Sequence, residues 1–485
     1  MIFHSALFIF IVLPVFVGGW YVLGRREDRR LRLWFLIAVS CLFYGLFGPE
    51  YLLLLIGSGL FTYQIGKYVR STPVFALGVA AHLLVLIFFK SAGLLSPERF
   101  GSMALPTGLS FYTFVQIAYL ARKRQDPDGK EVPDAGLLDY LAYTVYFPKL
   151  AEGPITLPDE VLPELSRDGK VTFRKDLFAR GAVLFVLGLA KKTLLSDRLA
   201  PVVDQAYAMP EFMNTPAIFL TAFLYIFQLY FDFSGYCDMA SGISLMIGIP
   251  LPLNFNSPFK ALSIRESWQR WHMTLTRFFT RFVYFPLGGS RRGEGRRVIN
   301  TLIVFFLSGL WHGLTSGYLI WGMIHGIIVA LPGKHTDADS GNRDAGLTER
   351  LVRLGRQALT FVIFSFSFVF FRAEKAQTAF KLLSGFRGGR GTTGLYRMAD
   401  AFRISELYVI REVVYLKAPG FLRQYDLILM LCFMLLCFVL TAGRNAQEYA
   451  QQMKLTKRNA VLLAVLFVFS LLSMGKVSTF LYFKY

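Results

Sequence analysis

The chain is written as apolar runs, several of them close to twenty residues long, separated by short polar and basic stretches. Runs of that length suit helices crossing a hydrocarbon core of about 30 Å. Their continuity argues against a β-barrel, whose strands alternate apolar and polar positions over segments of roughly ten residues. The pattern predicts an all-α polytopic membrane protein with early spans over 3–23, 33–47, 51–69, 74–89 and 109–121. The first run has no basic n-region and no small-residue cleavage site, so it reads as a span rather than a signal peptide.

Beyond residue 124 the pattern loosens. The run 137–150 is short and contains Lys149, which predicts a segment that enters the membrane without crossing it. Spans resume over 177–195 and 217–233, whereas 242–251 is too short to cross. Residues 266–287 mix Trp268, Trp271 and several phenylalanines with arginines, the composition of an interfacial amphipathic helix. Further spans are expected over 302–311, 318–331, 359–371, 427–440 and 460–472. The stretch 332–357 reads as a charged loop with a short surface helix from Thr348, and 386–419 reads as irregular. Neither is long enough for a catalytic domain. The expectation is one membrane domain over 1–485, with N-terminal helices in 1–124, a catalytic core in 125–331, the charged loop 332–357 and C-terminal helices in 358–485.

Composition agrees, at 54% hydrophobic residues and a mean hydropathy of +0.46. The formal net charge of +20 adds orientation, because the basic residues gather in short loops. Arg25, Arg26, Arg29, Arg30 and Arg32 make the first loop cytoplasmic and place the N-terminus outside. No basic stretch is interleaved with aromatics as a nucleic-acid platform requires, so the charge points instead to membrane lipids or an anionic thioester. Cys41, Cys237, Cys432 and Cys437 lie in or beside apolar runs without metal-ligand spacing, which predicts packing roles and no disulfide framework.

Against this background, residues 227–326 hold the polar groups that need explaining, since ionisable side chains at bilayer depth are costly and mark functional sites by default. Asp232 and Asp238 stand among aromatics, and six residues on one helix sets them about 120° apart, so they are not expected to form a carboxylate dyad. Pairing with Arg265, Arg270 or Arg277 is the expected role. His272, His312 and His325 fall in the same region, His312 within LSGLWHGL. An imidazole can take a proton from an alcohol and return it to a leaving group, which suits acyl transfer, although a histidine hydrogen-bonded inside a bundle looks the same in sequence. These histidines and aspartates could in principle make a zinc site, but no HExxH or other close ligand pair is present, and no metal is expected. No G-x-S-x-G occurs, which argues against a serine hydrolase.

The strings QLYFDFSGYCDMASG, PLNFNSPFKALSIRESWQRWHMTLTRFF, YFPLGGSRRG and GLWHG resemble the membrane-bound O-acyltransferase superfamily, in its bacterial branch of alginate and peptidoglycan O-acetylation subunits. The likeness extends to the N-terminal IFHSALFIFIVLPVF, to PTGLSFYTFVQIAYL, YFPKLAEGPI and the terminal FLYFKY, and so covers nearly the whole chain. Lys149, Glu152 and Gln269 depart from the residues common in the family. The resemblance implies a ring of transmembrane helices around tilted and re-entrant helices with a central tunnel. It implies that His312 and His272 are catalytic, with Asp232, Ser234, Asp238, Asn254, Asn256, Arg270, Trp271, Trp311 and His325 lining the tunnel. It further implies a bacterial inner-membrane enzyme with no permanently bound cofactor. Such an enzyme passes acetyl from a cytoplasmic donor such as acetyl-CoA to an exported or cell-envelope polysaccharide, directly or through a periplasmic acetyltransferase partner. D-alanyl transfer to teichoic acid-type acceptors and non-enzymatic carriage of an acyl carrier are the rival readings.

Overall fold

The structure is a computed structural model and describes residues 3–95, 105–126, 128–130, 135–332, 346–373, 375–388, 391–454, 456–475 and 481. Helices carry the whole architecture, and no strand occurs among the described residues. By length and composition four described helices can cross a membrane, Thr72–Ala92, Thr215–Met246, Leu347–Arg372 and Pro419–Ala442. Shorter apolar helices at Phe8–Gly24 and Ser316–Ala330 join them.

The hub is the helix Thr215–Met246, whose spanning window is 89% buried, against 17% for Thr72–Ala92. A helix apolar on every side belongs in the interior, and one exposed on most sides at this hydropathy faces lipid. The hub starts where Asn214 accepts the N–H of Ala217, with a proline in its first turn. It continues through both Asp232 and Asp238 to Met246, so the start of the apolar stretch 242–251 belongs to this helix rather than to a separate segment.

Its main neighbour is Lys175–Ala190, and glycines set the distance between them. A Cβ at Gly181 would stand 2.6 Å from the carbonyl oxygen of Gly242, and one at Gly188 would stand 2.5 Å from that of Gly235. The two pairs are seven residues apart on each helix and run in opposite order, so the backbones touch along one antiparallel seam. The same device joins Glu294–His312 to Ser316–Ala330, where Gly309 abuts the carbonyl of Tyr318 and Gly322 that of Phe305.

Several stretches differ from the sequence expectation. Residues 266–287 do not form one amphipathic helix. Two short helices, Ile264–Arg270 and Met273–Phe279, are broken at Trp271 and His272 and followed by a π-helical turn at Thr280–Tyr284. Periodicity could not find the break, because the apolar spacing carries across it. The helix expected as a surface piece from Thr348 is the start of Leu347–Arg372, which runs unbroken into the span. The region 386–419 contains the helices Thr393–Ala401 and Tyr408–Lys417. The short run 137–150 becomes Leu137–Val145 and Phe147–Leu150, meeting at Tyr146.

Candidate active site

His272 occupies the break between the two short helices, with φ +45° and ψ +50°. A left-handed conformation disfavours any side chain bearing a Cβ and persists only where surrounding contacts enforce it. Those contacts come from Asn254. Its carbonyl oxygen accepts the N–H of Thr274 at 3.2 Å and the Thr274 hydroxyl at 2.8 Å, and its own backbone oxygen accepts the N–H of Met273 at 2.9 Å. Because a backbone N–H can only donate, the orientation of the Asn254 amide is fixed. His272 Nδ1 lies 3.1 Å from the same Asn254 oxygen, so Nδ1 carries the proton and Nε2 the lone pair of the neutral ring. The Thr274 hydroxyl in turn accepts the N–H of Ile155 at 3.1 Å, which ties the break to the 147–157 segment. The other face of Asn254 donates to Cys237 Sγ at 3.2 Å.

His312 is the last residue of Glu294–His312, ahead of Gly313. It is 3% exposed. Its ring packs edge-on against Trp321 at 5.1 Å and Phe371 at 4.9 Å. Trp311 stands between the two histidines, with its ring centre 6.0 Å from that of His272 and 4.8 Å from that of His312. That indole is held by donation to the carbonyl of Ser110 at 3.2 Å and by rings of Phe111 and Phe114 at 5.3 and 5.4 Å. Two elements distant in sequence, the break at His272 and the end of Glu294–His312, therefore bring His272, Trp311 and His312 to one place.

His325 is built differently. Trp268 Nε1–H donates to its Nδ1 at 3.1 Å, so the proton sits on Nε2, which lies 2.8 Å from the Ser367 hydroxyl. That hydroxyl donates onward to the carbonyl of Phe364. Both ring nitrogens are occupied inside an aromatic cluster that includes Phe364 and Phe368.

Asp232 and Asp238 pair with lysines, which corrects the expectation of Arg265, Arg270 or Arg277. Lys192 reaches Asp232 at 2.7 Å, and Lys191 reaches Asp238 at 2.6 Å and Ser234 at 3.2 Å. The Ser196 hydroxyl and the N–H of Leu481 also donate to Asp232. Both lysines open a π-helical stretch, Lys191–Ser196, immediately after the glycine seam. The three arginines are engaged elsewhere: Arg265 with the carbonyl of Val329, Arg270 with Glu266, and Arg277 with Glu160. The signal for this pairing in the sequence is two adjacent lysines, Lys191 and Lys192, inside the apolar run 177–195.

Of the remaining candidates, Trp271 packs among Phe255, Phe364 and Phe368. The Asn256 N–H donates to the Arg270 carbonyl at 2.8 Å, its own carbonyl accepts from the Arg270 guanidinium at 3.3 Å, and its side-chain oxygen accepts from Asn445 at 3.1 Å. Glu152 is 1% exposed, and among the described residues neither of its carboxylate oxygens meets a hydrogen-bond donor. Cys237 points at its backbone carbonyl from 3.8 Å. Among the described residues no three His, Cys, Asp or Glu side chains gather as a metal ligand set.

Residues 25–333 match the MBOAT, membrane-bound O-acyltransferase family. The chain is 31% identical to a peptidoglycan O-acetyltransferase of Helicobacter pylori, an alignment covering 100% of this chain and 98% of that protein. It is 33% identical to a probable alginate O-acetylase of Pseudomonas aeruginosa, covering 79% of this chain and 74% of that one. A teichoic acid D-alanyltransferase of Bacillus subtilis is 28% identical over 46% of this chain and 57% of its own length.

Proposed function

The chain belongs to the membrane-bound O-acyltransferase family, and from that premise we propose that it transfers acetyl groups across the membrane for O-acetylation of an exported or cell-envelope polysaccharide. It is a membrane acyltransferase, which favours chemistry at the polar centre over the passage of an intact solute. Choosing acetyl over D-alanyl rests on the relatives that align along most of the chain, whose names specify O-acetylation.

The observation that carries the reading is the convergence of His272 and His312 on Trp311. Both imidazoles come from interruptions in helices, one at a left-handed break and one at a helix end. In the proposed reaction His312 takes the proton of the acceptor hydroxyl as its oxygen attacks the thioester carbonyl carbon. The tetrahedral centre then expels the donor thiolate, which recovers the proton. His272, oriented by Asn254, positions the reacting groups or shares the proton work. Exclusion of water by the surrounding rings strengthens each polar contact made there.

Orientation follows from charge. Glu294–His312 begins beside Arg291, Arg292, Arg296 and Arg297, and His312 ends it, about 27 Å further along the axis. With the basic end cytoplasmic in a bacterial inner membrane, His312 stands toward the periplasmic acceptor side. The donor, acetyl-CoA in this reading, is anionic and enters from the basic face. There a cavity of about 510 Å³ is lined by Arg32, Arg167, Lys170 and Arg174, together with Glu164 and Asp168. Delivery to the polymer runs directly or through a periplasmic acetyltransferase.

The test is reconstitution in vesicles with labelled acetyl-CoA on the basic side. Label should appear in added polysaccharide or a periplasmic acceptor protein with wild type and not with His312→Ala. Transfer by folded His312→Ala at near wild-type rate would sink the assignment, and transfer of D-alanyl but not acetyl groups would favour the rival acceptor chemistry.

A further inference from the structure

Thr72–Leu95 turns most of its surface outward and carries one charged side chain, Lys90. An ammonium in such a helix is costly unless something specific receives it. Snorkelling alone would carry the charge outward to the interface. Here it turns inward, and Lys90 Nζ donates to the backbone carbonyl of His312 at 3.3 Å.

That carbonyl is the last in its helix. The final turn of any helix leaves carbonyls without an intrahelical donor, and at membrane depth water does not supply one. Gly313 N–H closes back onto Gly309, after which the chain turns away through extended backbone. A lysine at a helix C-terminus satisfies the terminal oxygen and complements the negative end of the helix dipole. Lys90 and His312 each lie eighteen residues from the start of their helices, roughly 27 Å along, and both helices start among arginines. Arg124 bonds the hydroxyl of Thr72 at one start, and Arg297 pairs with Glu294 at the other. The two helices therefore reach the same depth together, and the lysine is placed to meet that carbonyl and no deeper one.

We propose that Lys90 is a positioning residue for acyl transfer, fixing the last turn of Glu294–His312 so that the His312 ring keeps its place between Trp311, Trp321 and Phe371. The proposal rests on the reading of His312 as the reacting base. Lys90 touches the main chain of His312 rather than any reacting atom, so its loss acts on turnover more than on donor affinity.

Lys90→Met and Lys90→Arg test it, compared with wild type in detergent or nanodiscs by amide hydrogen exchange over residues 305–315 and by steady-state acetyl transfer. In Lys90→Met, exchange in the last turn should rise by roughly tenfold. Its kcat should fall about 10–100-fold with donor KM within about twofold, the cost of misplacing a reacting group by a fraction of an ångström to about 1 Å. Lys90→Arg, which keeps a donor and the charge, should recover most of both. Exchange and kcat in Lys90→Met within about twofold of wild type would overturn the proposal, as would a folded Lys90→Arg as defective as Lys90→Met. If His312→Ala retains transfer, the functional reading fails separately, and the exchange measurement still decides whether Lys90 holds the turn.

Discussion

The lysine–aspartate pairs and the two histidines around Trp311 lie in one body of helices and are built on opposite plans. Asp232 and Asp238 belong to an unbroken helix and meet Lys192 and Lys191 at 2.7 and 2.6 Å. His272 occupies a left-handed break and His312 the end of a helix. In the first region each charge is answered by a charge across a close seam. In the second, main-chain interruption aims the rings, and the contacts beside them are mostly aromatic. The lesson is that a polar group at membrane depth is not sufficient to mark chemistry; what separates the two is whether regular backbone and an opposite charge already account for it.

The largest effect expected from breaking this contrast is on turnover. His312→Ala should lower acetyl transfer by about 10²–10⁴-fold while leaving the melting profile of the purified protein unchanged. Asp232→Ala should do the reverse, destabilising the fold by about 3 kcal/mol, because buried Lys192 keeps only Asp197 as a countercharge and the Ser196 hydroxyl and Leu481 N–H lose their acceptor. Turnover per folded molecule should then stay near wild type, and a fully stable but inactive Asp232→Ala would move that carboxylate into the reactive region. Asn254→Ala removes the acceptor that orients His272, and activity should drop about 10–100-fold in single-turnover measurements, as expected when a reacting group loses its orientation. Unchanged kinetics would mean that the break, not the amide, aims the ring.

Smaller effects sharpen the comparison. Exchanging charges, Lys191→Asp with Asp238→Lys, should recover at least half the stability lost in Lys191→Asp alone, about 0.5–3 kcal/mol of coupling in a double-mutant cycle. No coupling would show that each group is held by other contacts. His325→Phe should leave turnover within about twofold and cost about 1–3 kcal/mol, since Trp268 and Ser367 lose their partner. A large loss of turnover without loss of stability would transfer His325 to the catalytic group.

Much of the framework was legible because burial in lipid writes itself directly into composition. The early spans fall where helices lie, as with 74–89 inside Thr72–Leu95 and 109–121 inside Leu109–Gln125. The resemblance, rather than periodicity, ranked His312 and His272 above other polar residues. What the sequence did not disclose are the relations between segments. Nothing local shows that Asn254 reaches across to His272, that Trp311 lies between two histidines, or that Lys191 and Lys192 rather than nearby arginines answer the aspartates. The left-handed φ of His272 was equally invisible, since that conformation is imposed by contacts with Asn254 and Thr274 rather than by the residue's own preference.

The glycine seam has a consequence for how the protein is made. A helix presenting two carboxylates to lipid is penalised by about 2.5–3.5 kcal/mol for each, and so is one presenting two lysines. Lys175–Ala190, with the lysines at its end, precedes Thr215–Met246 in the chain, and Gly181, Gly188, Gly235 and Gly242 bring them into register before any later helix exists. The pair is therefore expected to insert as a unit, with the two lysines already answering the two carboxylates. A bulky residue at Gly188 would strand four charges during biogenesis, so its first symptom is degradation of nascent chains rather than slow catalysis in the mature enzyme.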